Sequence, residues 1–412
     1  MPVLGSSPDL RSQGQDSRYA WLRLGIALVL STIGGVGLWS VVVVLPVIEI
    51  EFGVDRGGAS LPYTATMMGF AVGGVFMGRL VDRLGIMRPV VFGAVLLSIG
   101  YLVASQAQTY WQFVLVQSLL IGMLGSSTTF APLVAEISLW FRKRRGIAVA
   151  IVASGNYLAG TVWPPILTAG IEEFGWRQTH FGVGVICLVT MVPLALCLKR
   201  RAPTEDAAQA PALAAGGTET RPGAVVQILL VVAGLSCCIA MAMPQVHIVA
   251  YCGDLGYGVA QGARMLSLML ALGVVSRLLS GLIADRIGGL RTLLLGSSLQ
   301  CLALLFYLPF DGLTSLFIVS AIFGLSQGGI VPSYALIVRD YFPAREAGTR
   351  VSLVLMATVV GMAIGGWMSG EIYDLTGSYQ AAFLNGIAWN LVNMSIAFWL
   401  LIGRRRLSPQ PA

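Results

Sequence analysis

Charge is scarce in this chain. Only 11% of its 412 residues are Asp, Glu, Lys or Arg, where a soluble domain carries about 25%. With 56% hydrophobic residues and a mean hydropathy of +0.80, there is more apolar surface than a water-soluble core could hide. Histidine is scarce as well, with His180 and His247 alone, and the cysteines at 187, 197, 237, 238, 252 and 301 lack metal-ligand spacing. Those cysteines read as small apolar fillers. No nucleophile–base pair and no metal cluster can be assembled, so no enzyme, metal or cofactor is expected. Strand alternation is missing, which argues against a β-barrel. The first twenty residues lack the charged-then-apolar order of a cleaved signal. The first apolar helix is therefore expected to double as an uncleaved insertion signal.

What is present is apolar runs. A stretch of about 20 apolar residues crosses a bilayer as a helix, and the sequence has twelve, the first at 24–48 and the last at 380–402. It also repeats itself. Gly78-Arg79-Leu80-Val81-Asp82-Arg83-Leu84-Gly85 returns 203 residues later as Gly281-Leu282-Ile283-Ala284-Asp285-Arg286-Ile287-Gly288, with a trailing arginine in register (Arg88, Arg291). A charged G-x-x-x-D-R-x-G turn between apolar helices, repeated at half the chain length, predicts an all-α membrane protein. Its twelve transmembrane helices form two pseudo-symmetric six-helix bundles, 24–198 and 225–402. The remaining segments are an N-terminal tail (1–23), an Ala/Pro/Gly-rich linker (199–224) and a C-terminal tail (403–412).

Orientation follows from the basic residues. Of 26 Lys and Arg, only Arg56, Arg177 and Arg264 fall in loops after odd-numbered helices, and Arg277 lies within a helix. The rest occupy the tails and the loops after even-numbered helices. By the positive-inside rule both termini and those loops are expected to be cytoplasmic, in a cytoplasmic (inner) membrane. The net charge of +7 is thus a topology signal. Scattered over short loops, it does not form a nucleic-acid-binding face.

Two six-helix halves with this turn after helices two and eight resemble the major facilitator superfamily. The resemblance implies a conformational gate at the turn, formed by Asp82, Arg83, Asp285 and Arg286, with Glu136 and Asp340 as plausible partners. Residues 140–160, from Trp140-Phe141-Arg142-Lys143-Arg144-Arg145 to Ala153-Ser154-Gly155-Asn156, are similar to the segment opening helix five in monocarboxylate porters and oxalate–formate antiporters. Trp163-Pro164-Pro165 follows and is expected to bend or break that helix.

Laying the first half on the second puts Gly74 opposite Arg277. A charge at that depth costs at least about 2.5–3.5 kcal/mol on insertion scales, and so marks a pathway. A guanidinium offers a planar fork that suits a carboxylate. The resemblance implies the same, since those porters carry a substrate-binding Arg in helix eight just ahead of the loop motif. Around Arg277 the expected substrate contacts are Tyr334, just past a break expected at Gly328-Gly329-Ile330-Val331-Pro332, and His247. Asn156, Tyr157, Phe130 and Trp389 complete a mixed pocket. His247 and the substrate–Arg277 pair are the proton-coupling candidates, since imidazole titrates near neutral pH. The chain departs from the branch pattern in having Gly273 where animal monocarboxylate porters carry an Asp, and no Lys in helix one or in 351–370. One intramembrane cation suits one carboxylate.

The expected function is alternating-access transport of a small lactate- or pyruvate-like monocarboxylate, with proton symport, by a carrier that works as a monomer in the bilayer. An oxalate/formate-like exchanger or a carrier of a larger organic acid is the alternative, and a transporter-like membrane sensor a third reading.

Overall fold

The computed structural model describes residues 16–141, 144–200, 224–342 and 344–407, without the side chains at 82, 145, 344–349 and 403–407. The outer part of each tail and residues 201–223 of the linker lie outside the described residues. Among the described residues eleven helical stretches are long and apolar enough to cross a membrane. One of them, Gly146–Leu196, runs for 51 residues. It turns back at Gly175, whose φ of 79° and ψ of 160° suit glycine alone. That stretch is two spans, which brings the crossings to the expected twelve.

We number them α1 (Arg18–Phe52), α2 (Arg56–Leu84), α3 (Met87–Ala104), α4 (Tyr110–Trp140), α5 (146–174), α6 (176–196), α7 (Ala224–Asp254), α8 (Val259–Ile287), α9 (Gly289–Phe306), α10 (Leu313–Tyr341), α11 (Ala344–Thr376) and α12 (Tyr379–Leu407). Helices α1 and α7 occupy equivalent central places. Val36 to Leu45 of α1 and Ser236 to Ala250 of α7 are buried without interruption, as expected of helices apolar on every side. Apolar side chains exposed on the outside, such as Val189, Leu282 and Phe398, form the lipid-facing surface.

The repeat is visible in the backbone. The closing glycines of the two loop motifs share one conformation, Gly85 at φ 76°, ψ 166° and Gly288 at φ 84°, ψ 161°. Each N–H donates back to the preceding helix, to the carbonyls of Val81 and Ala284 respectively. Helix seams repeat too. A Cβ at Gly122 of α4 would lie 2.6 Å from the Thr66 carbonyl oxygen of α2, and one at Gly324 of α10 would lie 2.2 Å from that of Met269 of α8. Thr66 and Met269 are again 203 residues apart. Small residues let these backbones touch, which is how membrane helices pack without a hydrophobic drive between them.

The double proline does not break α5. Gly175 is the one residue with non-helical backbone angles between Gly155 and Leu196, and the Thr168 hydroxyl donates to the Pro164 carbonyl at 2.9 Å. A local irregularity falls earlier, at Ser154, between helical segments Arg145–Ala153 and Gly155–Leu196.

Candidate functional site

Arg277 stands on α8 at the seam between the halves. Its Nη1 donates to the Ala153 carbonyl of α5 at 2.7 Å, and its Nε points at the Gly328 carbonyl of α10 at 3.5 Å, a weak contact. Its guanidinium carbon lies 4.3 Å from the centre of the Tyr157 ring. Both carbonyls belong to helices with an irregularity. Helix α10 stops at Gln327 and restarts at Ile330. The residue four beyond Gly328 is Pro332, which has no N–H to take that carbonyl as the next helical turn would. Glycine at 328 is required sterically, because a Cβ there would come 2.3 Å from the Gly273 carbonyl oxygen and 2.6 Å from the Arg277 nitrogen. Helix α5 has a local irregularity at Ser154, immediately after Ala153, where the backbone stays right-handed (φ −72°, ψ −12°) and the Ser154 N–H donates to the Ala150 and Ile151 carbonyls. An irregularity in each half thus places a carbonyl beside one guanidinium. Among the described residues no carboxylate lies within ion-pair distance of it.

Tyr157 is buried against α8. A Cβ at Gly273 would lie 3.0 Å from its ring. An aspartate at that position would collide with the ring that stacks on Arg277, which accounts physically for the glycine. Asn156 is turned away, its Oδ1 and backbone carbonyl accepting from the Trp39 indole at 3.3 and 3.0 Å. Phe130 sits at an irregular bend of α4 (φ −123°, ψ −84°) and packs on Phe70, 6.3 Å between ring centres. Trp389 is half-buried on α12.

Two expected contacts are placed elsewhere. His247 is fully buried, with Nε2 2.7 Å from the Gly366 carbonyl and Nδ1 3.1 Å from the Tyr379 hydroxyl. Nε2–H donates and Nδ1 accepts, so both nitrogens are satisfied within α7, α11 and α12 and neither is available to a substrate. Tyr334, also fully buried, donates to Asn393 Oδ1 at 2.7 Å, and Asn393 donates to the Ser297 hydroxyl at 2.8 Å. It closes a polar chain across α9, α10 and α12, and its hydroxyl is bonded to Asn393, not to Arg277. A histidine or tyrosine on an apolar helix looks the same in sequence whether it serves a ligand or a neighbouring helix.

The two ends of the molecule differ. At the end bearing the loop motifs, Arg83, Asp285 and Arg286 are exposed and take part in no ion pair among the described residues. The Asp82 side chain lies outside the described residues. Glu136, expected to serve the motif, is held by Arg23 at 2.5 Å and by the Trp140 indole at 3.0 Å, all within the first half. At the opposite end the halves are clamped. Arg56 of α2 pairs with Glu49 of α1 and with Asp254 of α7, each at 3.0 Å. Asp374 of α11 accepts from the backbone N–H groups of Arg56 and Gly57 at 2.9 and 2.6 Å, so an acid of one half caps a helix N-terminus of the other. Tyr373 lies 5.0 Å from the Arg56 guanidinium. Sequence reasoning counted Arg56 only as a loop arginine. The available signal was a cation at the same end of the helices as Glu49, Asp254 and Asp374.

Residues 27–317 and 281–412 match the family model described as Major Facilitator Superfamily. The chain belongs to that superfamily. Its relatives include the MFS-type transporter pynF of Aspergillus niger, 28% identical over 305 residues (73% of this chain, 69% of that one). Monocarboxylate transporter 13 of Rattus norvegicus is 27% identical over 322 residues (76% and 73%). Among solved structures, a bacterial homologue of the human lysosomal transporter Spinster, inward-facing and unoccupied, superposes with a TM-score of 0.75 at 14% identity, over 96% of this chain and 100% of that one. As a member of the superfamily the chain is a multi-pass membrane transporter of small molecules, and not an enzyme.

Proposed function

We propose that this transporter moves a small lactate- or pyruvate-like monocarboxylate across the cytoplasmic membrane by alternating access, as a monomer, with a proton carried along. The observation that carries the reading is Arg277. It is a guanidinium at the seam of the halves whose protein partners are two neutral carbonyls and a ring, and its charge is left for a ligand to balance. A carboxylate competes with the Ala153 carbonyl for Nη1. Once bound it neutralises the charge and loosens the one hydrogen bond from Arg277 that crosses between the halves. The kinship with monocarboxylate transporter 13 points the same way. With His247 sealed, the proton is assigned to the substrate–Arg277 pair.

The basic loops set the motif end as cytoplasmic, and the Arg56 clamp then closes the external side. Asp82, Arg83, Asp285 and Arg286 form the cytoplasmic gate, which latches when the clamp opens. The test is uptake of labelled lactate, pyruvate, formate and oxalate into proteoliposomes under an imposed pH gradient. A monocarboxylate signal driven by the gradient and lost in Arg277→Gln is expected, and uptake indifferent to Arg277 would sink the reading. Exchange is the second reading, favoured by the lack of an acid beside Arg277 among the described residues. It predicts uptake that needs an internal anion and ignores the pH gradient.

A further inference from the structure

We infer that Gln327 is a specificity-determining residue of this site, its side-chain amide recognising the substrate oxygen on the carbon next to the carboxylate and so selecting lactate- and pyruvate-like acids over unsubstituted ones. The inference rests on the carboxylate reading of Arg277. Gln327 is the last residue of α10 before its break and is fully buried. Its Oε1 accepts from Gln245 Nε2 on α7. Its own Nε2 has no hydrogen-bond partner, although a buried donor is rarely left unmade.

That free donor faces the site. A Cβ at Gly273 would lie 3.5 Å from Gln327 Nε2 and 3.0 Å from the Tyr157 ring, and the same ring stacks on Arg277. Gly273 and Arg277 are four residues apart, about one turn of α8, and the guanidinium takes a carboxylate as a planar fork that occupies both of its oxygens. A carboxylate held by Arg277 therefore leaves Gln327 to reach an acceptor beyond it. Gln245 is a positioning residue, because its bond to Oε1 turns the amide nitrogen toward Gly273. Arg277, Gly273, Gln327 and Gln245 all belong to the second half, and the covering ring belongs to the first. Rocking of the halves uncovers both donors together.

The test compares acids that differ by this one oxygen, lactate and pyruvate against propionate, in proteoliposomes of wild type, Gln327→Leu and Gln245→Leu. Wild type is expected to prefer the oxygenated acids by about tenfold in KM. Gln327→Leu should abolish that preference, weakening lactate and pyruvate while leaving propionate unchanged, and Gln245→Leu should reduce it. A wild type that takes propionate as well as lactate overturns the inference without any variant. Equal losses for all three acids in both variants overturn it too, since that is the pattern of a mere tie between α7 and α10. If Arg277→Gln loses uptake while Gln327→Leu keeps the preference, the inference falls and the carboxylate reading stands. If Arg277→Gln changes nothing, both fall.

Discussion

At the scale of single residues, Arg277 and His247 reverse the usual expectation for buried polar side chains. The histidine has every hydrogen bond it can make, and the arginine has only neutral partners. Replacing His247 by Leu should leave the pH profile of transport unchanged and lower stability by about 1–3 kcal/mol, because the Gly366 carbonyl and the Tyr379 hydroxyl lose their partner. A pH-dependent uptake series and a thermal melt in detergent check this, and a shifted profile would return His247 to the proton path. Arg277→Gln should have the opposite signature. Uptake should fall at least a hundredfold while the melting temperature holds or rises, since removing a buried charge without a counter-ion relieves its desolvation. Arg277→Lys keeps the charge but loses the fork, and should retain only a small part of the activity.

At the scale of elements, interruptions in helices do the positioning. Helix α10 yields the Gly328 carbonyl because Pro332 cannot occupy it, and α5 yields the Ala153 carbonyl beside its irregularity at Ser154. Half-helix ends around a midplane site are a recurring transporter device. Pro332→Ala supplies the missing N–H, so we expect α10 to close across the break. The protein should gain about 1 kcal/mol in stability and lose transport rate, measured by melting and by initial uptake. Unchanged transport would mean that the break is incidental. The seams set the opposite limit. Gly324→Leu forces a side chain against the Met269 backbone, where a Cβ alone would sit at 2.2 Å, and should cost at least about 1–3 kcal/mol. Pro164-Pro165, by contrast, is read wrongly by local rules. The two prolines withhold the N–H donors that would serve the Gly160 and Thr161 carbonyls, yet the membrane helix keeps helical backbone angles through them.

At the scale of the whole molecule, the clamp at Arg56 decides which end is shut. One guanidinium and the N–H groups of one helix end serve three carboxylates drawn from α1, α7 and α11. Arg56→Gln removes the cation and leaves those acids repelling one another, which should shift the population toward opening at that end. Spin labels on the exposed Ile50 and Leu375, one in each half, should report a longer mean distance in the variant. An unchanged distribution would show that the seam between α2 and α11 holds the closure without the arginine. Uptake should slow at the same time, because a carrier biased to one state spends longer returning.

The twelve spans, the duplicated turn, the depth of Arg277 and the break in α10 were legible in the chain itself. Each depends on neighbours in sequence, whether a run of apolar residues, a Gly-Gly before a proline or a charge among aliphatic side chains. The membrane makes such local signals unusually strong, because every backbone group must be satisfied within its own helix. The partners were not legible. Arg56 and Asp374 are 318 residues apart, Arg277 and Ala153 are 124, and His247 and Tyr379 are 132. Those pairings belong to the packing of one helix against another, and only the folded arrangement ties both nitrogens of His247 to neighbouring helices and gives Arg277 neutral partners alone.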